Sequence, residues 1–169
     1  GYNTDAEPDT ENPELKLYID DDKFVDGSVT NENPTLIAYI KDLNGINTSG
    51  AGIGHDITAT LTGATNRTYN LNQFYNAPDT PDDFGSLKYK FYDLNEGEHL
   101  LTFRAWDIYN NSATATISFK VVKGDALVLE NVKNYPNPMD DYTNFVFDHN
   151  QIDNEIDIQI RIYNVMGQL

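Results

Sequence analysis

Apolar and polar residues alternate with a period of two along most of this chain, which leaves it few folds. Leu15, Leu17 and Ile19 alternate with Lys16 and Tyr18, Ile57, Ala59 and Leu61 with threonines, and Leu87, Tyr89 and Phe91 with Lys88 and Lys90. Such a period puts one face of an extended strand inward and the other toward water, whereas a helix needs apolar residues three and four apart. Seven strands are expected, over residues 15–19, 35–41, 57–61, 67–71, 87–91, 99–106 and 113–122. Turn signals separate them, among them Asp20-Asp21-Asp22, Asn33-Pro34 and the Asp107-Ile108-Tyr109-Asn110-Asn111 corner, and no amphipathic helical stretch intervenes. Seven short strands in about 110 residues argue an all-β fold, an immunoglobulin-like β-sandwich over residues 15–124.

The flanks read differently. Residues 1–14 hold Asp5, Glu7, Asp9 and Glu11 with Pro8 and Pro13 and read as an extended acidic linker. After residue 124 a second pattern opens with Leu127, Leu129 and Val132, continues at Phe145 and Phe147, and reaches strict alternation at Ile156, Ile158, Ile160 and Ile162. Three strands in about 44 residues cannot close a sandwich, so residues 125–169 are expected to be the front part of a second β-module cut at Leu169. Its isoleucine strand would leave an unpaired edge unless it docks on a neighbour or on another copy. With no initiator Met and no signal peptide, the chain reads as an excised piece and Gly1 as a tag remnant.

Charge excludes several functions. The 27 acidic and 11 basic residues give a net charge of −16, a poor match for nucleic acid or an anionic membrane surface. Cysteine is absent, so this sequence offers no disulfide, thiolate zinc site or cysteine nucleophile. No run of about 18 apolar residues exists, and no direct membrane insertion is expected.

The least ordinary stretch is Asp42 to Asp56, where Gly45, Gly50, Gly52 and Gly54 precede His55 and make a shaped binding loop between two strands. It lacks the Lys-Ser/Thr of a phosphate-binding loop and is followed by a strand pattern, not a helix. In an immunoglobulin topology the second and sixth strands run the same way. The loop after Lys41 and the turn after Trp106 then emerge together, bringing Asp42, Asn44 and Asn47 near Asp107, Asn110 and Asn111. Carboxylates and amides gathered in this way suit a hard cation, and calcium is the candidate cofactor at Asp42, Asn44, Asn47, Asp107 and Asn110. The alternative is that Asp42 and Asp107 accept hydrogen bonds from their own turn amides. Asp20, Asp21, Asp22 and Asp26 form a weaker cation candidate with the same alternative. His55, His99 and His149 show no metal spacing, no catalytic residue is identified, and Trp106 is read as core with Phe103 and Phe91.

Two sets of residues resemble a known family. Tyr135-Pro136-Asn137-Pro138, followed by Phe145-x-Phe147 and Ile162-Tyr163-Asn164-Val165-Met166-Gly167, resembles the C-terminal sorting domain of type IX secretion cargo in Bacteroidetes, with the family's terminal strands missing. Residues Phe24 to Gly27, Asn33-Pro34, Asp42 to Asp56, Leu71 to Tyr75, Gly97 to His99 and Trp106 to Ser112 resemble the region after the peptidase domain in PorU-type sortases of the same system. These are gingipain-like cysteine peptidases of family C25, which remove sorting domains from cargo and join the cargo to lipopolysaccharide. The resemblance implies a non-catalytic fragment whose partners are the upstream peptidase domain and an outer-membrane partner barrel. It implies export through the periplasm to the outer membrane and cell surface. A carbohydrate-binding or adhesion module of a secreted cargo protein is the alternative, with Phe74, Tyr75 and Asp79 as the place for a sugar. The two prolines of the 135–138 stretch remove two backbone donors and suggest a rigid entry into a strand.

Overall fold

The computed structural model describes residues 9–49, 54–124, 127–152 and 154–168. It is all-β, without an α-helix among those residues. One sheet is made of β1 (Glu14–Ile19), β3 (Thr35–Lys41), β6 (Tyr75–Asn76) and β7 (Gly85–Lys90), in the order β1-β3-β7-β6. The other holds β2 (Val29–Thr30), β4 (Thr58–Thr62), β5 (Arg67–Asn70), β8 (Gly97–Trp106) and β9 (Ser112–Val121), in the order β2-β9-β8-β4-β5. All pairings are antiparallel except β2 with β9.

The alternation read in the sequence fixes which face each strand buries. His99, Leu101, Phe103 and Ala105 of β8 point inward and meet Leu36, Ala38 and Ile40 of β3, Ala59 and Leu61 of β4, Leu87 of β7 and Phe119 of β9. Fully burying a side chain such as Phe103 or Leu101 contributes about 1.5–3 kcal/mol relative to leaving it exposed. Asp20 holds the point where the chain crosses between sheets. At φ 65° its carboxylate accepts Thr30 Oγ1 at 2.6 Å and the Thr35 amide at 2.8 Å, tying the end of β1 to β2 and β3.

Several expectations need correction. β2 and β6 are two residues each, too short to produce a periodic signal. The Asn72–Gly85 stretch, read as an exposed loop, opens with a single 3-10 turn at Asn72–Phe74 and then pairs β6 with β7. Trp106 is only half-buried; its ring leaves the core and stacks on His55, with centroids 4.2 Å apart.

Beyond the sandwich, β10 (Leu129–Tyr135) and β11 (Asn144–His149) form an antiparallel hairpin. It packs on the β2 and β9 side, where Ser28 Oγ donates to Asp148 Oδ2 at 2.9 Å and Lys120 Nζ meets Glu130 Oε1 at 2.8 Å. Tyr135 is the last residue of β10, so Pro136-Asn137-Pro138 leaves a strand and does not enter one. The alternating isoleucines do not form the third strand. Residues 154–163 join no ladder, and Ile158, Ile160 and Ile162 stay 49%, 50% and 67% exposed. Alternation specifies which side chains share a face, but a strand also needs a neighbour to take its N–H and C=O groups.

Candidate functional site

The loop after β3 and the turn after β8 meet at one end of the sandwich. Asp42 opens the loop as an Asx turn, its Oδ1 accepting the amides of Asn44 at 2.9 Å and Gly45 at 3.0 Å. Gly45 sits at φ +103°, a conformation costly for a side chain, and its carbonyl accepts the Ile108 amide at 3.1 Å. Ile46 bridges to Asp107, and the Asn47 amide donates to the Trp106 carbonyl at 2.8 Å. The two connections are laced by backbone as well as neighbouring in space.

Asp107 is fully buried and organises its own turn. Oδ1 accepts the amides of Tyr109 at 2.8 Å and Asn111 at 2.7 Å, and Oδ2 accepts Asn111 Nδ2 at 2.7 Å. Asn110 takes φ 72°, which the turn requires, and its side chain is exposed. Asn47 is buried with its Oδ1 accepting the amide and hydroxyl of Ser49. Asn44 reaches sideways, donating Nδ2 to Asp9 Oδ2 at 2.7 Å.

Asp9 is the residue that sequence reasoning missed. The strand it precedes brings residues 9–13 back over this end, where the Asp9 carbonyl accepts Asn111 Nδ2 at 3.1 Å. One carboxylate oxygen each from Asp9, Asp42 and Asp107 then lie within 4.8 Å of one another. Nothing in the acidic 1–14 stretch singled out Asp9, because its partners are 35 and 102 positions away. Of the five candidate calcium ligands, the two carboxylates, Asp42 and Asp107, belong to this carboxylate group. Three carboxylates would supply part of the six to eight oxygens that calcium takes. In the other acidic run Asp21 Oδ1 caps its own turn by accepting the Lys23 amide, while Asp26 Oδ1 ties the loop to β9 by accepting the amide and hydroxyl of Ser118.

Burial pushes the Asp42 carboxyl above its ordinary value, the charges of Asp107 and Asp9 push it the same way, and the Asn44 and Gly45 amides oppose both. A raised folded-state value means stability that is fully present below the ordinary 3.8 and lost as pH rises through the folded value. Asp42→Asn keeps an Oδ1 acceptor for the turn and removes the charge. We expect it to stabilise the fold at neutral pH by about half a kcal/mol, since the group is partly exposed. Urea unfolding of both proteins at neutral pH and at about pH 3 checks this, with the difference vanishing in acid.

A cleft of about 700 Å³ runs beside the same end, between residues 40–48 and 72–81. Tyr75 lines it, and burial followed by the Asp42 charge raises its phenol. Phe74 turns inward against Tyr89, with centroids 4.9 Å apart. Of the loop glycines, Gly45 and Gly54 are described, Gly54 at φ +86°, while Gly50 and Gly52 lie outside the described residues. His55 is held against Trp106, and the Arg104 guanidinium lies 4.2 Å from the Trp106 ring centre. His99 lies at the other end of β8, its Nε2 bonded to the Asn95 carbonyl at 2.7 Å and its ring stacked on Phe119. In the 135–138 stretch, Tyr135 is exposed and the Pro136 carbonyl accepts Thr143 Oγ1 at 2.9 Å.

No protein-family model matches the chain, and no curated protein matches it. Among solved structures it is similar to dimeric latent PorU from Porphyromonas gingivalis, with 35% identity and a TM-score of 0.66. The similarity covers 89% of this chain, which spans only 14% of that chain's length. The all-β chain therefore has a PorU-like fold.

Proposed function

We propose that the chain is the non-catalytic C-terminal region of a type IX secretion sortase. In this reading it supports an upstream peptidase domain, carries a truncated sorting domain, and docks the parent at an outer-membrane partner barrel. The parent would be a C25 cysteine peptidase that removes cargo sorting domains and attaches cargo to lipopolysaccharide at the cell surface. The observation that carries the reading is the similarity to PorU over 89% of the chain at 35% identity. The sequence itself holds no cysteine that could serve as the nucleophile of such a peptidase. The Tyr135-Pro136-Asn137-Pro138 stretch and the exposed apolar face after β11 supply surface for docking.

Deleting this region from the parent, followed by membrane fractionation and immunodetection of cargo, tests the reading. The expected result is loss of the parent from the outer-membrane fraction and cargo that keeps its sorting domain. Unchanged surface delivery and cargo processing would reject it. A carbohydrate-binding or adhesion module of a secreted cargo is the second reading, and the cleft that Tyr75 and Asp79 border is where its ligand would sit.

A further inference from the structure

The cleft between residues 40–48 and 72–81 has a lining of unusual balance. Its walls are aliphatic, from Ile40, Ile46 and Pro78, with the half-buried ring of Tyr75. Its charged groups are the carboxylates of Asp42 and Asp79, and among the described residues no lysine, arginine or histidine lines it. Neither carboxylate forms an ion pair with a described residue; the ion pairs are Glu14 with Lys16, Glu130 with Lys120 and Asp93 with Lys123.

We propose that this cleft binds a basic side chain, lysine or arginine, presented by an extended polypeptide segment. A methylene stem matches aliphatic walls while its charged head reaches the carboxylates. The Tyr75 face can add a cation–π contact. The volume of about 700 Å³ lies within the range of small-ligand sites and leaves room for the residues flanking the basic one.

The lining suits a sugar less well, because two of its three side-chain amides, those of Asn72 and Asn44 but not that of Gln73, are already engaged. Asn72 gives Nδ2 to Asp56 and accepts the Ile57 amide on Oδ1, and Asn44 gives Nδ2 to Asp9. Asp42 and Asp79 add negatively charged acceptor capacity, which calls for a cationic donor. The inference stands on the cleft and does not depend on the secretion reading.

Amide NMR titration of the whole chain tests it, using a capped Gly-Gly-Lys-Gly-Gly peptide and the same peptide with norleucine for lysine. The expected result is saturable shifts confined to residues 40–48 and 72–81 with the lysine peptide, and none with norleucine. Asp42→Asn and Asp79→Asn should each weaken binding about tenfold, as loss of a charge-assisted contact does. Asp79 is exposed, so its variant reads the site without disturbing the fold. Equal binding of the norleucine peptide would overturn the proposal, as would shifts spread over the acidic surface without saturation. Saturation of these residues by a neutral trisaccharide, or displacement of the peptide by calcium chloride alone, would overturn it too.

Discussion

Asp107→Ala is expected to lower stability by about 3 kcal/mol, because a fully buried carboxylate that accepts three hydrogen bonds leaves its donors unsatisfied. The amides of Tyr109 and Asn111 lose the acceptor that orders the turn, and a donor left unsatisfied where water is excluded costs about 1–3 kcal/mol. Relief of repulsion with Asp42 and Asp9 offsets a small part of this. Asp107→Asn keeps one acceptor oxygen for both amides and should lose only about 1 kcal/mol. Thermal unfolding distinguishes the two, with the alanine variant melting about 10 °C below the parent. An alanine variant as stable as the asparagine one would mean that other groups hold the turn. The loss should also spread to the cleft, since the Ile46–Asp107 bridge joins the turn to the cleft wall.

Gly85→Ala carries the second large effect. The backbone of Gly85 is not in the left-handed region, so conformation alone permits alanine. Space does not: an added Cβ would run into the Tyr75 ring and hydroxyl at distances that real Cβ atoms do not show. Tyr75 stands opposite Leu87 in the β6–β7 ladder, which makes Gly85 its diagonal neighbour on the same face. Either the ring leaves its place or the short β6 strand separates from β7, at about 2 kcal/mol for overpacking. The diagnostic is the double variant with Tyr75→Ala, in which Gly85→Ala should cost almost nothing. Full additivity in urea unfolding would show that the two residues do not compete for one space. Because Tyr75 lines the cleft, Gly85→Ala should also weaken any ligand bound there.

Much of the sandwich was legible because alternation is a local property with a global consequence. The strand at residues 99–106 buries one face and that at 35–41 is apolar on both, with Ile37 buried opposite Leu36, Ala38 and Ile40; both were visible from their apolar residues. The meeting of the loop after β3 with the turn after β8 was legible too, since strand direction in this topology dictates which loops share an end. The reading of Asp42 and Asp107 as turn acceptors also followed from local chemistry, and their hydrogen bonds have that form. Asp9 was not legible. It enters the carboxylate group through a path fixed by the entry into β1, and a polar residue in an acidic arm carries no mark of its eventual neighbours.

The isoleucines at 156, 158, 160 and 162 mark the limit from the other direction. Their alternation is the strictest in the chain, yet residues 154–163 pair with nothing described, because a strand is completed by a neighbour and not by its own pattern. Tyr75 and Gly85 make the same point at the scale of one contact. The sequence by itself determined the longer strands of the sandwich, their inward faces and most turns between them, since these follow from period and from short-range hydrogen bonding. Only the tertiary structure decided that Asp9 joins Asp42 and Asp107, that Trp106 leaves the core for His55, and that two loops enclose a cleft. Those are long-range juxtapositions, fixed by the packing of two sheets and invisible to any local rule.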